Sequence, residues 1–173
     1  MTTMRRIIQF GAVLTSVALG GGRLSAGPPA ETVHLVITGG VWDGTYNATS
    51  TSGGCTAGAK GPGSWSNELY VSNTTDLKAL VNLPLTVPDA KAAADGTKEF
   101  YLGVGFGPLV RRIETTYQIE IETRPDQKHR TGSGLVTVQD NGATAVIAFT
   151  AETTAGVKLE GTITCNTVTR KGK

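Results

Sequence analysis

Apolar and polar side chains alternate with a period of two along most of the chain after residue 30. In the first such segment, residues 32–38, the side chains of Val33, Leu35 and Ile37 share one face. This period is typical of a β-strand that buries one of its faces. The pattern therefore predicts about nine strands, at residues 32–38, 40–49, 64–72, 81–87, 98–106, 114–123, 135–139, 143–150 and 157–165.

Three local signals refine this pattern. Pro84 cannot donate a ladder hydrogen bond, so the segment 81–87 is predicted to be an edge strand or irregular. The alanine-rich residues 89–94 predict one or two turns of helix. Residues 140–142 read Asp-Asn-Gly between two alternating segments, which predicts a β-hairpin turn.

Together these elements predict an all-β fold with one short helical turn. Short connections and almost no helix favour a single antiparallel β-sandwich, Ig-like or jelly-roll-like, over residues 27–169. A closed β-barrel is the alternative arrangement. From residue 27 onward the chain contains 23 Thr and 13 Val, and such β-branched side chains suit a half-buried sheet surface.

Residues 1–26 have the pattern of a cleaved signal peptide. Arg5 and Arg6 precede an uncharged apolar run at residues 7–19, and the segment ends on small residues at Ala26. An apolar run of 13 residues covers only about 20 Å as a helix, short of the ~30 Å hydrocarbon core. We therefore predict a secreted protein, extracellular or periplasmic, with no transmembrane segment after processing.

Processing reverses the sign of the net charge. The full chain has 16 basic and 14 acidic side chains, and removal of the first 26 residues leaves 13 basic against 14 acidic. Three of those 13 lie in residues 170–173, which we expect to form a basic flexible tail. The body of the protein then carries a formal charge of −4. This balance argues against a nucleic-acid partner, which needs a concentrated basic face.

The two cysteines are predicted to form one disulfide. Cys55 and Cys165 lie 110 positions apart in a chain whose signal peptide directs it to an oxidising compartment. Cys165 shares a strand face with Leu159 and Ile163, which turns its side chain inward. Two cysteines and two histidines provide few of the usual ligands for a metal site. Neither a metal nor a cofactor is predicted.

Four aromatic side chains, Trp42, Tyr46, Trp65 and Tyr70, lie within 29 positions of one another. Exposed aromatic rings on a sandwich face can stack on sugar rings, so these residues are candidates for carbohydrate binding. Burial in the core is the alternative, and it is the commoner position of Trp in a domain of this size.

Basic side chains concentrate in two predicted connections. If both connections reach the same end of the sandwich, they form a small cationic patch for an anionic surface or polymer. The alternative, which we favour, is that these residues only make the turns soluble. The candidate residues are Arg111, Arg112, Arg124, Lys128 and Arg130.

Glu120 and Glu122 point the same way from one predicted strand, with Cα atoms ~6.6 Å apart. Paired carboxylates at ~5–9.5 Å are the arrangement of glycoside hydrolases, so a small glycan hydrolase is one alternative. A solvated strand face is the favoured interpretation, because the two carboxyl groups of a catalytic pair need different environments that separate their pKa values. His34 and His129 have no neighbouring nucleophile and acid in the sequence, and no catalytic residue is predicted.

The C-terminal third, residues 132–165, resembles the closing segment of small exported actinobacterial lipoprotein antigens. The matching features are a Gly-Ser-Gly strand, an Asn-Gly turn and a last strand that ends in a disulfide cysteine, at Gly132, Gly134, Asn141, Gly142 and Cys165. The chain differs from that family because it lacks a lipid-attachment cysteine after the signal peptide. The resemblance implies a non-enzymatic surface or envelope protein.

The sequence therefore predicts a secreted, non-catalytic β-sandwich that acts as a cell-envelope or extracellular interaction module. Its expected partner is a protein or glycan at the cell surface. A carbohydrate-binding module is the first alternative, and a small glycan hydrolase is the second.

Overall fold

A computed structural model describes residues 28–71, 74–107, 117–123 and 131–172, with the backbone alone for residues 117–119. These residues contain one helix, α1 (Ala90–Ala94), and eleven strands. In chain order the strands are β1 (Glu31–Thr38), β2 (Gly44–Ser50), β3 (Gly54–Ala57), β4 (Trp65–Tyr70), β5 (Leu80–Val87), β6 (Tyr101–Phe106), β7 (Tyr117–Glu122), β8 (Gly132–Asp140), β9 (Ala145–Thr153), β10 (Lys158–Cys165) and β11 (Val168–Arg170).

The strands form two sheets that pack against each other. The first sheet has the order β2-β1-β10-β9-β8, and the second has the order β11-β3-β4-β5-β6-β7. All neighbours are antiparallel except β11 and β3, which are parallel. Within the described residues each sheet keeps two edge strands, so the predicted sandwich is confirmed and the alternative of a closed barrel is wrong.

The core lies between the sheets and is built by the alternation that the sequence shows. In β1 the inward side chains Val33, Leu35 and Ile37 are buried, whereas His34 on the opposite face is exposed. Trp65 contributes the largest buried side chain from the facing sheet. Burying one such apolar side chain is worth about 1.5–3 kcal/mol, so the matching faces of the two sheets hold the sandwich together.

Strand β5 is irregular, as one of the two expectations for the Pro84 segment stated, and the other expectation, an edge strand, is wrong. The strand lies inside the second sheet, between β4 and β6, and is not an edge. Pro84 pairs with Glu68 on β4, but the paired positions of β5 and β6 run from Asn82–Gly105 to Leu85–Leu102 with none at Pro84. A proline is tolerated at this point because the ladder toward β6 is interrupted there.

Strand number was also underestimated. The segment around Cys55, which lies between two of the predicted strands, contains β3, and a further short strand, β11, follows Cys165. These two strands pair with each other through Val168–Cys55 and its neighbours. Both are too short to show an alternating pattern in the sequence.

The predicted helix and hairpin are confirmed. The carboxylate of Asp89 caps α1 by accepting hydrogen bonds from the backbone N–H groups of Lys91, at 2.9 Å, and Ala92, at 3.2 Å. The hairpin connects β8 to β9, and its Gly142 has φ of 84°, a conformation that favours glycine.

Candidate functional site

The predicted disulfide between Cys55 and Cys165 is present, with Cα atoms 5.8 Å apart. Cys55 lies on β3 of the second sheet and Cys165 ends β10 of the first, so the bond joins the two sheets. Both residues are buried. The bond fits a protein of an oxidising compartment.

A polar pair lies beside the disulfide. In the first sheet Glu31 is directly opposite Cys165, and in the second sheet Asn67 is directly opposite Cys55. Glu31 and Asn67 are both buried, and the side-chain Nδ2 of Asn67 donates a hydrogen bond to Glu31 Oε1 at 2.5 Å. The same amide group donates to the backbone oxygen of Leu83 at 3.1 Å. We call Glu31 and Asn67 the acid–amide pair.

The environment of Glu31 disfavours its charged form. Burial raises the pKa of Glu31 from 4.5 to about 7, the hydrogen bond from Asn67 opposes this change, and the negative charge of Glu68 adds to it. Neither Glu31 Oε2 nor Asn67 Oδ1 has a hydrogen-bond partner among the described residues. This pair was not predicted from the sequence, although both residues stand at positions in phase with buried apolar neighbours.

The four candidate aromatic residues do not form one open platform. Trp65 is fully buried, so its proposed role on a binding surface is wrong. Trp42 is half-buried and stacks on Phe106, with ring centroids 4.6 Å apart, and Tyr46 packs against the same ring at 4.8 Å. Only Tyr70 is exposed, at 46%.

A shallow depression of about 620 Å³ lies on the outer face of the second sheet. Its floor contains the rings of Pro84 and Tyr101, which lie over the backbone of Gly103. A Cβ atom added at Gly103 would lie 3.0 Å from Pro84 Cγ and 3.1 Å from the Tyr101 hydroxyl, so a larger residue would require one of these rings to shift by a few tenths of an ångström. We call this surface the outer depression.

Hydroxyl and charged side chains surround these rings. Thr56, Ser66 and Thr86 line the outer depression from three adjacent strands. Charges of both signs complete the lining, from Lys60, Glu68, Glu122 and Lys171. Such a mixture offers hydrogen-bond donors and acceptors around a small apolar floor. None of these residues was singled out from the sequence as a binding group, apart from Glu122.

The carboxylates of the hydrolase alternative lie on β7, the edge strand of the second sheet. Glu120 is exposed and accepts a hydrogen bond from the Tyr101 hydroxyl at 3.5 Å, whereas Glu122 lines the outer depression. The other acid in that lining is Glu68, which lies three strands away from Glu122. At about 4.8 Å per strand their backbones are at least roughly 14 Å apart.

Arg170 belongs to β11 and so lies outside the flexible tail that the sequence led us to expect. Its guanidinium donates to both carboxylate oxygens of Asp140, at 3.0 and 2.5 Å, and to the backbone oxygen of Gly142. This hydrogen bond from Arg170 is the main reason that the pKa of Asp140 is lowered from 3.8. The pair attaches the last strand to the β8–β9 hairpin.

The other predicted features lie partly outside the described residues. The candidate basic patch falls there entirely, as does the signal peptide at residues 1–26. In the part of the chain that is described, no group of three His, Cys, Asp or Glu side chains is arranged to hold a metal ion. No helix within that part has the length and apolar character required to span a membrane.

Comparison of this chain with protein-family models, curated proteins and solved structures found no match. Inference about function therefore depends on the side chains described above.

Proposed function

We propose that this protein is an exported, non-catalytic interaction module of the cell envelope or the extracellular space. The observation that carries the proposal is the buried Cys55–Cys165 disulfide, which joins the two sheets of the sandwich. Structural disulfides persist in secreted and periplasmic proteins and are rare in the cytosol. The apolar run after Arg6 supports the same compartment.

The carboxylate geometry supports a binding role over catalysis. A glycoside hydrolase needs two carboxyl groups about 5–9.5 Å apart. Glu122 and Glu68 share the outer depression but are separated by two intervening strands, β5 and β6. Glu120 and Glu122 project from the same strand at the edge of the sheet, and Glu68 is the one other described acid that lines the outer depression.

Export is tested by expressing the full chain with a C-terminal tag and fractionating the cells. We expect the tag outside the cytosol, on a chain that begins near Gly27 and contains no free thiol. Leu14→Arg, in the middle of the apolar run, is the matched variant and should retain the tagged chain in the cytosol. An uncleaved wild-type chain in the cytosol contradicts the proposal.

A carbohydrate ligand is the second candidate, and the outer depression favours it. Tyr101 and Tyr70 both project from the outer face of the second sheet, on β6 and β4. Their backbones are about 10 Å apart across the strands and about 13 Å apart along them. Sugar rings combine apolar C–H faces with hydroxyls, which matches rings bordered by Thr, Ser, Lys and Glu side chains. The separation suits an extended glycan better than a single sugar.

Affinity electrophoresis of the mature protein in gels that contain soluble polysaccharides tests this candidate. We expect retardation by at least one polysaccharide, and Tyr101→Ala and Tyr70→Ala should each weaken it. Leu135→Ala is the matched control, because Leu135 is 43% exposed on the other sheet. Failure of every polysaccharide to retard the protein, or equal weakening by Leu135→Ala, rejects a carbohydrate ligand.

A further inference from the structure

The acid–amide pair has a hydrogen-bonding pattern that an ionised carboxylate cannot complete. An ionised carboxylate only accepts hydrogen bonds, whereas an amide side chain has one oxygen acceptor and an NH₂ donor group. The donor group of Asn67 already contacts Glu31 Oε1 and the oxygen of Leu83. The two remaining atoms, Glu31 Oε2 and Asn67 Oδ1, are both acceptors and are buried without a partner among the described residues.

One added proton turns one of these two acceptors into a donor. If Glu31 Oε2 carries a hydrogen, it can donate to an acceptor such as Asn67 Oδ1. The two side chains would then share two hydrogen bonds, one in each direction. Because a buried polar group without a hydrogen-bond partner is destabilising, the neutral acid is the form that this site accommodates.

Among the described residues, the groups around Glu31 include no compensating positive charge. On β2, opposite Glu31, the hydroxyl of Ser50 contacts the backbone oxygens of Ser52 and Tyr70. On β10 the facing residue is Cys165, whose sulfur is in the disulfide. On β4 the nearest charge is Glu68, which is also negative and raises the pKa of Glu31 further.

We infer that Glu31 is a protonated carboxylic acid below neutral pH, and that its ionisation as the pH rises through neutrality loosens the junction between the two sheets. The junction then has two adjacent cross-sheet connections. The disulfide is permanent in an oxidising compartment, and the acid–amide pair depends on protonation. This switch makes the sandwich tightest in mildly acidic surroundings.

The sign of the pH effect follows from linkage. Glu31 has a pKa of about 7 in the folded protein and an ordinary value of 4.5 when exposed. Between these values the folded state binds one more proton than the unfolded state, so stability falls as pH rises. The folded-to-unfolded ratio should decrease up to tenfold per pH unit from this group, until Glu31 is fully ionised above pH 7.

Two measurements on the oxidised mature protein test the inference. The first is a pH titration of the Glu31 side-chain carboxyl carbon by NMR, for which we expect a midpoint above pH 6. The second is urea unfolding between pH 5 and 8, in which Glu31→Gln should remove the decrease seen in the wild type. Glutamine keeps both hydrogen bonds to Asn67 as an amide–amide pair but does not titrate.

Glu160→Gln is the matched control for charge, because Glu160 is exposed on the outer face of the first sheet. This variant should keep the pH dependence of the wild type. A midpoint below pH 5 for Glu31, or an unchanged pH dependence in Glu31→Gln, overturns the inference. Because the NMR titration uses the wild-type chain, it remains decisive if Glu31→Gln fails to fold.

Discussion

Replacement of both cysteines by alanine tests the energetic role of the disulfide. The bond closes a loop with a sequence separation of 110 residues. The chain-entropy relation for a loop of that length predicts a stabilisation of about 4.8 kcal/mol at 25 °C. This is a large fraction of the 5–15 kcal/mol stability of an ordinary domain. We therefore expect the Cys55→Ala/Cys165→Ala protein to lose about 4–5 kcal/mol of unfolding free energy.

Urea unfolding followed by tryptophan fluorescence measures this loss, because Trp65 is buried and Trp42 is half-buried in the folded state. The two single variants provide the sharper comparison. Either single replacement abolishes the bond, so Cys55→Ala, Cys165→Ala and the double variant should lose similar amounts. Their double-mutant cycle should therefore give a coupling energy of about 4 kcal/mol.

Two results would refute this reasoning. A double variant that loses less than about 1.5 kcal/mol shows that the bond does not constrain the unfolded chain as assumed. Single losses that add up in the double variant show that the two residues act separately, through packing alone. Reduction of the wild-type protein with a strong thiol reductant should reproduce the loss without any substitution.

Three further substitutions test local features. Asp89→Ala should lower the unfolding free energy by about 1 kcal/mol in urea melts, because it removes the cap of α1, and Asp89→Asn should lose much less. Gly103→Val should displace the facing Pro84 and lower the midpoint of thermal unfolding, measured by calorimetry, by several degrees. An unchanged midpoint would show that a valine side chain fits at this position. Asp140→Asn should lower the unfolding free energy at pH 7 in urea melts, and the difference from the wild type should shrink as the pH falls below 3.8. The pKa of Asp140 is lowered by Arg170, so their pair contributes above pH 3.8 and is lost as pH falls below the lowered value.

The pattern of the sequence predicted the sheets well because burial follows strand alternation directly. Val33, Leu35 and Ile37 are buried together, as their period requires. The inward direction of Cys165 followed from the same rule, and with only two cysteines the pairing had one solution. The burial of a strand face and the inward direction of a side chain depend on residues within a few positions of each other.

The errors concern contacts between distant segments. The rule that excludes proline from an inner strand assumes a continuous ladder, and the ladder beside Pro84 is interrupted. Strand β3 lies between β4 and β11, and β11 comes more than 100 residues later in the chain. Local propensity contains no information about such a partner.

The acid–amide pair was missed for a related reason. Glu31 and Asn67 are 36 positions apart, and each is acceptable only because the other is present. A polar residue in phase with buried apolar neighbours is a usable signal: Asn67 stands between Trp65 and Leu69 on the inward face of β4. Two such residues on different strands indicate a buried polar contact. Which of them contact each other can be read only from the three-dimensional structure.

The pairing of β1 with β10 also determines when the sandwich can assemble. Glu31, at the start of the first long strand, pairs with Cys165, so the centre of the first sheet stays incomplete until nearly the whole chain is available. Contacts of such long sequence separation form slowly because a large loop must close first. The first sheet therefore cannot be completed until β10 has been synthesised. In the export that we propose, this delay favours passage of the unfolded chain through a translocation channel.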